Sequence, residues 1–296
     1  MSEKLTPEEV ARLDPFGVRK IPASKELEEL LEREKETGGQ EPREFEADLI
    51  RAEKGAWKRI LGVELVVPPL PTEITPEIKQ RLEAEGFNFA FLPFLDLSPD
   101  QLMSKDLGQY LKELTARYPN WRPFESLSEG KKSDYKIVRN LEKLFWEKVK
   151  QGRVDLPSLP GSWVAVETLP KPSYGEKYQK TAFGQRLGLS DRFNVSWNDA
   201  KEATDKAKPK FFSEIGLRRG EIRFLNVLEW NLLANRFGWG KTNTYEWTNS
   251  EYRESGGSCR LFVGDSGDGG AAYINGDYPG AAGDNVGFRL AVVFGT

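Results

Sequence analysis

The sequence predicts an α+β protein, a mainly helical N-terminal region followed by a mixed region of strands and helices, and three observations carry this. In the first half, apolar residues recur at intervals of three and four behind recognisable helix starts, the period of an amphipathic helix. Around Asp155-Leu156-Pro157-Ser158-Leu159-Pro160 the texture changes from charged helical stretches to a mixture of Trp, Gly, Asn and short apolar runs. Beyond that point, SWVAVETL and the closing LAVVF alternate in the manner of strands. The expected organisation is a helical region over 1–155, serving attachment or oligomerisation, and a second domain over 156–296.

Ser24 opens an acidic segment with Leu27, Leu30 and Leu31 on one face, closed by Gly38-Gly39. Phe45, Leu49, Ala52, Ala56 and Ile60 make a second helical stripe. Thr75-Pro76 and Gly86 bracket a third helix, and Ser98-Pro99-Asp100-Gln101 combines an N-cap, a proline at the first helical position and a capping-box glutamine. The run from Phe87 to Leu97 is short and aromatic, so it reads as a strand or a buried connector. A further helix is expected from about Asp134 to Lys150, with Ile137, Leu141, Leu144, Phe145 and Val149 apolar. After the boundary, Ser162–Leu169 reads as a first strand, and KPSYGEKYQK, with Lys171, Lys177, Lys180, Tyr174 and Tyr178, as a solvated loop. Asn194 or Ser196 caps a helix that begins near Asn198 and runs through Phe211 and Phe212. Phe224, Val227, Leu228, Asn231 and Leu232 place another from about Glu221 to Arg236, and Phe288, Leu290, Val292 and Phe294 form a closing strand.

Composition excludes several functions. The chain has no histidine, so a Ser-His-Asp relay, a Cys-His pair and a histidine metal cage cannot be built from it. With 43 basic and 46 acidic residues the net charge is -3, which provides no global drive towards nucleic acid or anionic lipid. No apolar run approaches the length of a membrane span, and the acidic, polar start is unlike a signal peptide, so neither membrane insertion nor export is expected. The expected location is cytoplasmic, or a virion component made in the cytoplasm. The single Cys259 cannot form an intrachain disulfide.

From Asn194 the chain reads NVSWNDA, then RRGEIRFLNVLEWNLLANRFGWG, then YEWTNSEY, and finally DNVGFRLAVVF. In that order and at those intervals the segments resemble the C-type lectin fold of the formylglycine-generating, sulfatase-modifying family over about Ser162 to Thr296. The resemblance implies that fold for the C-terminal domain. The catalytic members of that family rely on a pair of cysteines, and Cys259 stands alone here, so the resemblance implies the scaffold without the oxidase chemistry. No catalytic residue and no cofactor are expected.

The stretch from Thr248 to Asp284 alternates small, aromatic and acidic residues over glycines, without Lys, Gln, Met, Trp or His. It resembles the variable region of the variable proteins of diversity-generating retroelements, phage or mobile-element systems in which a reverse transcriptase copies a template repeat with errors at adenines. That resemblance implies a non-enzymatic protein with a diversified ligand-binding surface for a protein or cell-surface ligand. Tyr and Phe give contact area at low entropy cost, and Ser, Asn and Asp adapt their hydrogen bonds, as in an antibody paratope. The expected exposed contact positions are Asn249, Tyr252, Arg253, Cys259, Phe262, Asp265, Asp268, Tyr273, Asn275, Asp277 and Tyr278. GDSGDGG is then a turn-rich part of a binding face, and Ser266 is no nucleophile. Two alternatives stand beside this reading: a fixed carbohydrate-binding lectin, and a remote formylglycine-generating-type oxidase. Asp265, Asp268, Asp277 and Asp284 could offer oxygen ligands to calcium, but their spacing matches no compact calcium loop, and no metal is expected.

Overall fold

Helix α1, Glu44–Leu61, opens the described part of the chain. The structure, a computed structural model, describes residues 44–121, 143–156, 159–239, 244–254, 257–264 and 274–294. The expected helix after Ser24 lies outside these residues. The buried stripe of α1 is Glu46, Ile50, Glu53, Ala56, Trp57 and Ile60, so the helix is turned slightly from the face expected, and Ala52 is exposed. Trp57 sets this rotation, because its large ring is fully buried and its indole N–H donates to Glu53 at 3.0 Å.

Helix α2, Pro76–Ala84, starts as its cap residues predict, with the Thr75 side chain accepting from the Ile78 amide. Gly86 then turns the chain at φ +95°, where a Cβ would lie 2.5 Å from Thr181, so only glycine fits. The aromatic run that follows is strand β1, Phe87–Phe94. Helix α3, Pro99–Ser104, is present without the expected capping box. Ser98 sits in the left-handed region at φ 44°, and its hydroxyl donates to Asp96 at 2.9 Å instead of capping the helix. Helix α4, Leu107–Arg117, is an element the sequence reading did not anticipate. Asp106 caps it by accepting from Gly108 and Gln109, and Leu107, Tyr110, Leu111 and Leu114 form its buried face. Helix α5, Lys143–Lys150, is the described end of the helix expected from Asp134.

Strand β2, Pro160–Glu167, pairs antiparallel with β1 from Phe87 opposite Glu167 to Phe94 opposite Pro160. This overturns a domain boundary near residue 155. The strand on one side of that point and the strand on the other share a sheet, and Glu41–Thr296 forms one compact unit. After the short α6, Ala182–Arg186, comes α7, Trp197–Ile215, capped by Ser196 and ended by Gly216 at φ +83°.

The helix expected over Glu221–Arg236 divides in two. Glu221–Phe224 is strand β3, with Ile222 and Phe224 buried in alternation, and α8 begins only at Val227 and runs to Phe237. Asn226 and Glu229 form a reciprocal capping box between them, which fixes the helix start three residues after Phe224 in the sequence register. Strands β4, Tyr245–Glu254, β5, Gly257–Val263, and β6, Ile274–Asp277, follow. The closing strand is also split, into β7, Val286–Phe288, and β8, Leu290–Val293. One sheet runs β1-β2-β8-β3 and the other β6-β5-β4-β7, so the break at Arg289 passes the chain from one sheet to the other. The fold is α+β.

Candidate binding face

Beneath β4 and β5 lies a buried ionic core that joins the two sheets. Arg289 donates to both Glu246 oxygens, at 3.1 and 2.9 Å, and also to the backbone oxygen of Glu167. Trp230 donates to Glu246 at 2.6 Å, and the Tyr178 hydroxyl donates to the same carboxylate. Glu167 is paired with Arg192 and accepts from Thr181 at 2.6 Å and from the Leu290 amide at 3.1 Å. Burial pushes both carboxyls up, yet the guanidiniums of Arg289 and Arg192 outweigh it and hold Glu246 and Glu167 below the ordinary carboxylate value. Burial drives the Tyr178 hydroxyl far above its usual range, so it stays protonated and can donate.

Two residues of the expected solvated loop belong to this core. Tyr178 is buried, and buried Lys171 donates from Nζ to the backbone oxygens of Thr244 and, at 2.8 Å, Gly264. The apolar stem of Lys171 explains the difference: it reaches inward and carries the ammonium to these two carbonyls. Gly264, at φ +125°, permits this approach, because a Cβ would stand 3.0 Å from the Lys171 ammonium and 3.1 Å from Trp230.

Over this core β4 carries a bulge. Strands β4 and β5 pair at Glu246 with Val263 and Trp247 with Phe262, and resume at Glu251 with Arg260. Thr248, Asn249 and Ser250 therefore stand opposite Leu261 alone. Their polar groups are held by the surrounding structure. Trp197 donates to Thr248 O at 3.1 Å, and the Thr248 hydroxyl donates to Leu261 O at 2.8 Å while accepting from the Ser250 amide at 3.2 Å. The Asn249 amide donates to Leu225 O at 2.8 Å, and Ser250 Oγ accepts from the Val227 amide at 3.1 Å. Thr248 and Ser250 are buried and Asn249 is exposed, so the bulge aims one side chain outward.

Cross-strand partners share a face of a sheet. Glu251, Arg260 and Asp277 consequently form one row across β4, β5 and β6, and Arg253 and Ser258 form the next. Asn249, Arg253, Asp277 and Tyr278 are exposed, and Tyr278 is 60% accessible. Cys259 is partly buried.

Tyr252 and Phe262 depart from the expectation, since both are buried. Tyr252 points to the opposite face from Glu251 and Arg253, where Arg153 donates to its hydroxyl at 3.0 Å and the Lys148 ammonium lies 4.2 Å from its ring. Phe262 is enclosed edge-on by Tyr245 and Trp247, each at 5.1 Å. Both follow from strand alternation, which assigns alternate residues of the exposed-looking run to the interior. Asn275 lies in β6 opposite Phe262. Asp265, Asp268, Tyr273 and Ser266 lie outside the described residues. Glu251, Ser258 and Arg260 join the face although they were not in the expected set; the alternation of charged residues in EYRE was the available signal.

Among the described residues no group of three or more Cys, Asp or Glu side chains could hold a metal ion. Asp284 accepts from the Tyr174 hydroxyl at 2.8 Å. No helix of the described residues is long and apolar enough to cross a membrane. The chain matches no protein-family model, and no curated protein or solved structure matches it either.

Proposed function

We propose that this is a non-enzymatic ligand-binding protein whose C-terminal part adopts a C-type lectin fold and presents a diversified face, as in retroelement variable proteins, to a protein or cell-surface ligand. The observation that carries the reading is the bulge at Thr248–Ser250. Its backbone is fixed by buried partners while Asn249 projects to solvent, so the displayed side chain can change without disturbing the frame. Asp277 and Tyr278 at the end of β6 share this property of exposure over a fixed strand.

Exposed positions of this kind contribute within about 0.5 kcal/mol each to stability. The triple replacement Asn249→Ser, Asp277→Asn, Tyr278→Ser should therefore keep the melting temperature within about 5 °C of the parent, taking roughly 2–4 °C per kcal/mol for a domain of this size. A cooperative loss of structure would show that these side chains serve the fold. The functional test is sequencing of the surrounding DNA in several isolates. The reading requires a near-copy of the coding region for Thr248–Thr296, differing where the copy has adenine, beside a reverse transcriptase gene. An invariant segment with no such repeat overturns it.

A further inference from the structure

Arg260 stands in the middle of the face yet is unlike its displayed neighbours. Its guanidinium lies 4.2 Å over the Trp197 ring, its Nη1 donates to Asn249 O at 2.9 Å, and its Nη2 is 3.6 Å from Glu251. The side chain is only 22% exposed. Trp197 in turn donates to Thr248 O, so this stacked pair holds two consecutive carbonyls of the bulge. Fixing both fixes the peptide planes on either side of Asn249, and with them the direction in which residue 249 leaves the strand. An anchor set in this way loses little further freedom when a ligand docks on it.

We infer that Arg260 is a positioning residue and residue 249 the focal specificity position of the face, an inference that rests on the ligand-binding reading. The neighbours of Asn249 cannot share its role. The hydroxyls of Thr248 and Ser250 are committed to Leu261 O and to the Val227 amide, whereas the Asn249 side chain is exposed. Asn249 also has an ordinary negative φ, so no glycine-like conformation restricts what can stand there. Arg260, stacked and hydrogen-bonded, sets the frame through which residue 249 meets a protein ligand.

The test is residue-resolved hydrogen exchange on the full chain. Arg260→Met keeps apolar cover on Trp197 but removes the donor to Asn249 O, and Arg260→Lys keeps a cation and one donor. Exchange of the Asn249 and Ser250 amides should rise at least about tenfold in the Met variant relative to the β8 amides, and stay within about threefold of the parent in the Lys variant, because the opening is local. An Arg260 that only stabilised the fold would instead accelerate all of these amides together, and that outcome, or no change at Asn249, overturns the inference. A library of all replacements at position 249, sorted for protease resistance, should retain nearly every residue type, and retention of only small polar types would count against the focal role. Both results are independent of the DNA sequencing, so failure of the inference and failure of the functional reading are distinguishable.

Discussion

Arg289→Met is expected to destabilise the protein by about 3–5 kcal/mol, because removing one partner of a buried ion pair leaves the other charge uncompensated in the interior. At roughly 2–4 °C per kcal/mol, this is a fall in melting temperature on the order of 10 °C. Glu246 is fully buried and would lose the two contacts at 3.1 and 2.9 Å, retaining Trp230 and Tyr178 as donors. A loss below about 1 kcal/mol would place the pair among weak surface bridges and refute this account of the core.

The pH dependence separates charge from packing. In the parent, Glu246 and Glu167 are held below their ordinary value, so the unfolded chain takes up protons first on acidification. Their contribution is complete above the unfolded carboxylate value, about 4.3, and disappears as pH falls through the lower folded values. In the variant, burial, the largest effect on Glu246, is expected to push the carboxyl up against the smaller lowering effects of Lys171 and Tyr178 that remain. A carboxyl raised in the folded state favours folding as pH falls, so the deficit of the variant should narrow between pH 7 and pH 5. Thermal melts of both proteins at these two values decide it; a constant deficit would mean that Arg289 acts by packing alone.

The helix starts were legible because capping chemistry is local. Thr75 and Ser196 act within four residues of themselves, and the structure uses both as helix caps. Ser98 shows the limit, since a neighbouring carboxylate, Asp96, competes for its hydroxyl. The strands were harder to read for a different reason. In β1, Phe87, Phe89, Ala90, Phe91 and Leu92 are all buried, so the run lacks the alternation that announces a half-exposed strand. In β3, Phe224 happens to fall in step with Val227 and Leu228 and joins their helical stripe on paper. The ionic core was invisible because its members come from distant strands and loops, and a buried Glu or Arg is spelled like an exposed one. On the proposed binding face, the exposure of Asn249, Arg253, Asp277 and Tyr278 was legible from their polar or aromatic character. Tyr252 and Phe262 were not, because alternation within β4 and β5 turns these two side chains to the interior of a run that reads as exposed.

A fragment beginning at Leu156 is expected not to fold, despite containing the whole of the segment that resembles a C-type lectin domain. Strand β1 would be missing from its sheet, leaving one edge of β2 without a partner from Pro160 to Glu167 and only the pairing with β8 over Val164–Val166 to hold it. Phe87 packs against Phe183 and Phe211, Phe89 stacks on Phe294 at 5.5 Å, and Phe91 meets Trp163 edge-on, so each partner would face water. At about 1.5–3 kcal/mol for each large buried side chain, Phe87, Phe89, Phe91 and Leu92 together contribute roughly 6–12 kcal/mol. That is comparable with the entire stability of an ordinary domain, about 5–15 kcal/mol. Helix α1 adds a polar tie, since Glu53 accepts from the Phe91 amide at 3.2 Å and pairs with Arg236 of α8 at 3.1 Å. A fragment from Glu41 to Thr296 keeps all of these and should melt cooperatively, whereas the shorter one should lack a cooperative transition and expose its aromatic surface to a hydrophobic dye. If the shorter fragment instead melted cooperatively near the temperature of the longer one, β1 would be an accessory to the sheet, and the region before residue 156 would be a separable module after all.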